Sequence, residues 1–230
     1  MILLAAHPEV QDWVADELQE AIKDAADELL EYEKVFEKLN RCRAVLSFHV
    51  YILIFSNESD IARSSSTISA HHGTAKVEQE IPQTLQIQGK TIVIPPRTGI
   101  MPSILGIQMH PKYWEDPSLW KPSRWIESTP GPSSQTSTLN SEKVITPAIS
   151  TFFPWSDGPQ NFPGQKFSRV EFVAVLAILL RHRRVSILQN DNETPEKAKE
   201  IALAVTQDCD MELLLRMRDA DQVKLSWKKV

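Results

Sequence analysis

Phe153-Pro154-Trp155-Ser156-Asp157-Gly158-Pro159-Gln160-Asn161-Phe162-Pro163-Gly164-Gln165-Lys166-Phe167 is the stretch whose reading decides the fold. Gly158 and Gly164 bracket a segment carrying Pro159 and Pro163. Alone, two glycines at that spacing mark an ordinary loop. Here the aromatic run Phe153-Pro154-Trp155-Ser156 leads in, and the strongest helix signal of the chain, Gly164–Arg184, leads out. That helix is apolar nearly all round, through Phe167, Val170, Phe172, Val173, Val175 and Leu176 to Leu180, so it belongs in the middle of a large core. Arg181, Arg183 and Arg184 suit the negative end of its dipole.

Working outward, residues Pro8–Arg43 read as helical, with Val14, Leu18, Ile22, Ala26 and Leu29 near helical spacing and a second piece starting near Tyr32. The run Val50-Tyr51-Ile52-Leu53-Ile54-Phe55 reads as a short strand that opens an irregular segment over 47–74, serine-rich and ending in His71-His72-Gly73. Leu85, Ile87, Ile92 and Ile94 alternate around Gln88-Gly89-Lys90, the pattern of a β-hairpin. His110–Trp125 is irregular and rich in Pro and Trp, Ser128–Glu142 reads as a solvated loop, and short strands are expected near Asp210–Met217 and Val223–Trp227.

The chain has 230 residues, 42% of them hydrophobic and 24% charged, which sets a single globular unit with a real core. A net charge of −5 gives no basis for nucleic-acid binding. Two cysteines, Cys42 and Cys209, are too few for a disulfide framework and point to a reducing compartment, here the cytoplasm. No apolar run reaches the ~20 residues of a membrane helix, so no membrane anchor is expected. Adjacent histidines such as His71 and His72 point in different directions, and no third ligand follows at zinc spacing, so no metal site is assigned.

The quoted stretch resembles the haem-ligand loop of the cytochrome P450 family of haem-thiolate monooxygenases. Trp155, Gly158, Gln160, Phe162 and Gly164 stand at that loop's cofactor-binding positions. Other segments follow in family order. Leu3–Gln11 is similar to the segment after the family's oxygen-activating helix, and Leu39–Val45 to the approach to its Glu-x-x-Arg helix. Leu85–Pro96 is similar to its hairpin, and His110–Trp125 to the stretch carrying a second Arg, here Arg124. The wording is closest to fungal biosynthetic members. The resemblance implies a mainly α fold with a small antiparallel β part, the C-terminal fragment of the family fold. It implies one partial domain over 1–230, with 152–180 as the haem-loop region and 47–74 outside the family pattern. It also implies a haem cofactor and a reductase as partner.

Departures from the family pattern weigh against activity. In the family a cysteine thiolate ligates the haem iron and promotes O–O cleavage. Phe162 stands at that position, and a phenyl ring has no lone pair to give. Gln160 replaces a basic residue. No Glu within Glu31–Val50 has an Arg three residues later, Glu37 and Arg41 being four apart, so Arg124 is expected to lose the partners of its ionic cluster. The helix with the oxygen-activating acid–alcohol pair would lie before Met1. The expectation is therefore an inactive, truncated relative of a monooxygenase of fungal secondary metabolism, without catalytic residues and without productively bound haem. Two alternatives stand beside it. One is a damaged reading of an active gene, with 47–74 as an unspliced or frameshifted segment. The other is a non-catalytic interaction protein. Cys209 is expected in a surface loop and Cys42 as a structural thiol.

Overall fold

Three helices carry the core. A computed structural model describes residues 1–22, 35–53, 75–76, 81–100, 103–128, 138–148, 151–152, 154–155, 162–211 and 215–230. Helix α1 (Ile2–Ala6) is followed by α2 (Pro8–Ala21), whose first residue is a proline with its ring angle already helical. A 3-10 turn at Phe36–Lys38 leads into α3 (Asn40–Leu53). The expected helix over Pro8–Arg43 is thus at least two, and the proposed start near Tyr32 lies outside the described residues. The apolar run at Val50 is not a strand: α3 continues through Leu53. A short apolar run fits a buried helix as well as a strand, and periodicity alone does not separate them. Residues 47–53 are therefore regular, and 54–74, with His71 and His72, lie outside the described residues.

The hairpin forms as expected. Strands β1 (Ala75–Lys76) and β4 (Gly99–Ile100) pair with each other, and between them β2 (Gln83–Ile87) pairs antiparallel with β3 (Lys90–Ile94), Leu85 opposite Ile92. Its two-residue turn has φ 51° at Gln88 and 76° at Gly89. Positive φ at both positions is the turn whose twist matches paired strands. Helix α4 (Ile104–Gln108) precedes the irregular Trp-rich stretch, which ends in a 3-10 turn at Pro122–Trp125. Strand β5 (Ile126–Ser128) pairs with β6 (Glu142–Val144).

Helix α5 (Gln165–Leu180) ends four residues before the expected Arg184. Arg183 and Arg184 instead begin β7 (Arg183–Ile187), although the Arg184 guanidinium still reaches back to the Leu180 carbonyl at 3.2 Å. Helix α6 (Pro195–Gln207) starts at Thr194, whose hydroxyl accepts from the Lys197 amide at 3.3 Å. The tail strands are β8 (Cys209–Met211), β9 (Leu215–Met217) and β10 (Leu225–Lys229), with β8 paired to β9 and β10 to β7. The described residues thus hold dominant helices and five small antiparallel sheets, the expected fold class.

Val14 and Leu18 of α2, Cys42 and Val45 of α3, and Val173, Leu176, Ala177 and Leu180 of α5 form the core with Val185 of β7. Buried Gln11 ties its edge together: its side-chain amide donates to the carbonyls of Leu4 and Val185, both at 2.8 Å, and its oxygen accepts from the Val185 amide at 2.9 Å. A second cluster gathers Trp114, Trp120, Trp125 and Phe152 against Ala44. Helix α5 is two-sided rather than wholly buried. Val173, Leu176 and Leu180 are covered, while Phe167 and Ile178 on the other face are 70% and 60% exposed.

Candidate functional site

Trp155 and Phe162 meet just before α5. The Phe162 amide donates to the Trp155 carbonyl at 2.9 Å, and the two rings stack with centroids 5.9 Å apart and planes 16° from parallel. The Arg169 guanidinium, on the second turn of α5, sits 6.0 Å from the centre of the Trp155 ring, within cation–π range. Phe162 is 48% exposed. Gly164 caps α5 without a side chain, and the Ser168 amide donates to its carbonyl at 2.9 Å. A Cβ on Gly164 would stand 2.8 Å from Cε1 and 2.9 Å from Cζ of Phe162. Trp155, Phe162 and Gly164 are therefore together, whereas Gly158 and Gln160 lie outside the described residues. Arg169 was not anticipated. Its only signal in the sequence is a cation one and a half turns into a helix that follows an aromatic loop.

Haem held through iron needs a lone pair at the ligand position. Phe162, which the resemblance places there, offers a hydrocarbon ring, so the residues present do not fit that bond. Neither cysteine stands in this loop. Cys42 is fully buried on α3, and burial, with the Glu17 carboxylate adding to it, pushes its thiol well above the ordinary range. Cys209 begins β8 and is 6% exposed, its Sγ donating to the Thr206 carbonyl at 3.6 Å. The surface loop expected for it is a buried strand start. No group of three or more His, Cys, Asp or Glu side chains converges as a metal site among the described residues.

The charged chemistry is elsewhere and was not legible in the sequence. Arg41 makes a two-pronged pair with Glu142, Nε to Oε2 at 2.8 Å and Nη2 to Oε1 at 2.7 Å, both side chains 8% exposed. Its third arm donates to the Trp13 carbonyl at 2.7 Å, and its guanidinium covers the Trp13 ring at 5.0 Å. Glu142 is thus buried, not the end of a solvated loop. Glu17 accepts from the Arg41 and Cys42 amides at 2.7 and 3.0 Å, so a carboxylate of α2 caps the first turn of α3. Burial pushes its pKa up to about 7, against the opposing pull of those two amides and the Arg41 charge. A cleft of about 640 Å³ opens beside Glu17, Glu20, Glu37, Arg43 and Glu142. Glu17 faces backbone amides, Glu142 faces Arg41, and Glu37 pairs with Arg43 at 3.1 Å, so these groups serve the structure. Arg124 was expected to lose its cluster partners. Its guanidinium donates to the Asp116 and Leu119 carbonyls at 2.7 and 3.1 Å.

Among the described residues no helix is long and apolar enough to cross a membrane. The profile of the family described as Cytochrome P450 matches residues 70–211, more than half of the chain. A cytochrome P450 monooxygenase of Arthrobotrys oligospora is 26% identical over 238 residues, covering 100% of this chain and 38% of its own length. A phomenoic acid biosynthesis cluster cytochrome P450 monooxygenase of Leptosphaeria maculans is 26% identical over 219 residues, covering 86% of this chain and 33% of its own. Human cytochrome P450 4F2 is 24% identical over 200 residues, covering 87% and 31%. The chain spans about a third of the length of the curated relatives it matches.

Proposed function

The chain belongs to the cytochrome P450 family, and from that premise we propose that it is an inactive relative of a haem-dependent monooxygenase of fungal secondary metabolism, its axial thiolate replaced by Phe162. The likeness to fungal monooxygenases, one of them from a biosynthetic cluster, supports the kind of parent. The single observation that carries the inactivity is Phe162, a half-exposed phenyl ring stacked on Trp155 where the family needs sulfur. Gln160 in place of a cation is a second loss in the same loop. Trp155, Gly158 and Gly164 remain as the loop's inherited frame, and haem is not held productively. The two unpaired thiols suit a reducing compartment, the cytoplasm. A reductase, the family's usual partner, has no electron acceptor here to serve.

Oxygenation assays with a family reductase test this reading. No turnover is expected from the chain, and none from Phe162→Cys, because a thiolate alone does not restore the Glu-x-x-Arg pair. Turnover by the unmodified chain would overturn the proposal. A second reading, a damaged reading of an active gene in which 47–74 is an unspliced or frameshifted segment, is favoured by the family match starting only at residue 70. Sequencing the transcript across 47–74 decides it: an mRNA lacking that segment supports the second reading, and one retaining it removes it.

A further inference from the structure

We propose that Phe162 forms the outer end of a ligand-independent stack in which Arg169 lies on Trp155 and Trp155 on Phe162, and for which Gly164 leaves the space. Three observations place the ring, and a fourth holds its partner Trp155. Its own amide is bonded to the Trp155 carbonyl at 2.9 Å. Its face lies 16° from parallel with Trp155. Arg169 holds the Trp155 ring from the helix at 6.0 Å. The ring edge then occupies the volume that any side chain at position 164 would need, 2.8 Å from an added Cβ. A methyl group there must displace the Phe162 ring, and displacement disturbs its stacking on Trp155. Gly164 is therefore needed by Phe162 in this chain, whatever its role in relatives that carry cysteine. About half of the Phe162 ring is covered at the head of α5.

The inference rests on loop geometry and not on the haem reading, and it is tested without haem. Amide hydrogen exchange at position 162 reports the bond to the Trp155 carbonyl. In the full chain Phe162→Ala is expected to speed that exchange roughly two- to tenfold, the range an aromatic pair supports. Gly164→Ala is expected to do the same. Combined with Phe162→Ala, Gly164→Ala is expected to add nothing further, because the ring it strikes is gone. The intrinsic preference of the cap position is common to both backgrounds and cancels in the comparison. Should the alanine variants not fold, Phe162→Leu and Arg169→Leu remain: Phe162→Leu keeps apolar bulk without a face to stack, and Arg169→Leu removes the cation below Trp155. Each should speed exchange at position 162 by at least twofold. An unchanged exchange rate in Phe162→Ala or Phe162→Leu would overturn the proposal. So would a Gly164→Ala effect of equal size with and without the phenyl ring. A carbon monoxide spectrum of the haem-thiolate type would refute the functional reading while leaving this result standing.

Discussion

The two sides of this molecule meet α5 on opposite faces and are finished to different degrees. On one face, α2 and α3 supply Val14, Leu18 and Val45 against Leu176 and Leu180, and nearby Arg41, Glu142 and Glu17 satisfy one another at 2.7–3.0 Å. On the other, Phe167 and Ile178 stand in solvent, and Phe162 stacks on Trp155 at the head of the helix. The first face is a protein interior with its polar groups partnered. The second is the outward stripe of a helix whose composition is that of a core. The contrast shows that the tightest polar packing lies away from the loop: Arg41, Glu142 and Glu17 join α2, α3 and β6, whereas Trp155 and Phe162 are held by ring stacking.

That contrast can be broken at its strongest point first. Glu142→Ala strands the buried Arg41 charge and should cost about 3–5 kcal/mol, read as a lowered midpoint of denaturant unfolding. Replacing both partners by apolar residues should recover most of the loss. The two faces of α5 come next. Leu176→Ala should cost about 2–5 kcal/mol, whereas Ile178→Ser should stay within about 0.5 kcal/mol and reduce the binding of an apolar dye. Equal costs on the two faces would erase the distinction.

Glu17 gives a smaller, pH-dependent effect. Its folded pKa is raised to about 7 from an ordinary 4.5, so the folded chain binds this proton more tightly than the unfolded one. Its contribution is complete below about pH 4.5 and is lost as pH rises through 7, to a total of about 3 kcal/mol at 1.36 kcal/mol per unit. Unfolding midpoints measured from pH 4.5 to 8 should show this fall in the chain and not in Glu17→Gln. The smallest effect belongs to the outer pair of Arg184 with Asp12, 3.0 Å apart but with Asp12 70% exposed. Asp12→Asn should change stability by about 0–1 kcal/mol, and by less at high salt.

What the sequence revealed follows the range of the interactions. The hairpin was legible because Gln88-Gly89 and the alternating isoleucines are a local signal. Helix α5 was legible from composition, but its end was not, because the Arg run that suits a helix terminus also pairs as a strand with Leu225–Lys229. Helix α6 had a usable start signal in Thr194-Pro195, yet its buried face is Ala198, Ala202 and Val205, too slight to stand out as an apolar stripe. Arg41 and Glu142 are 101 residues apart, and Glu142 closes a Ser/Thr-rich run that looks solvated. Nothing local marks such a pair. In the candidate site the substitution at Phe162 was visible at once, while its stacking and its claim on the space beside Gly164 needed coordinates.

The central claim is that the ligand position of this family member offers iron no electron pair. Its most direct test is the spectrum of the full chain incubated with haem, reduced and exposed to carbon monoxide. The expected spectrum lacks the red-shifted band of thiolate-bound haem, in keeping with the phenyl ring at position 162. That band, at an intensity matching the protein present, would show that a thiolate reaches the iron and would contradict the loss of the site.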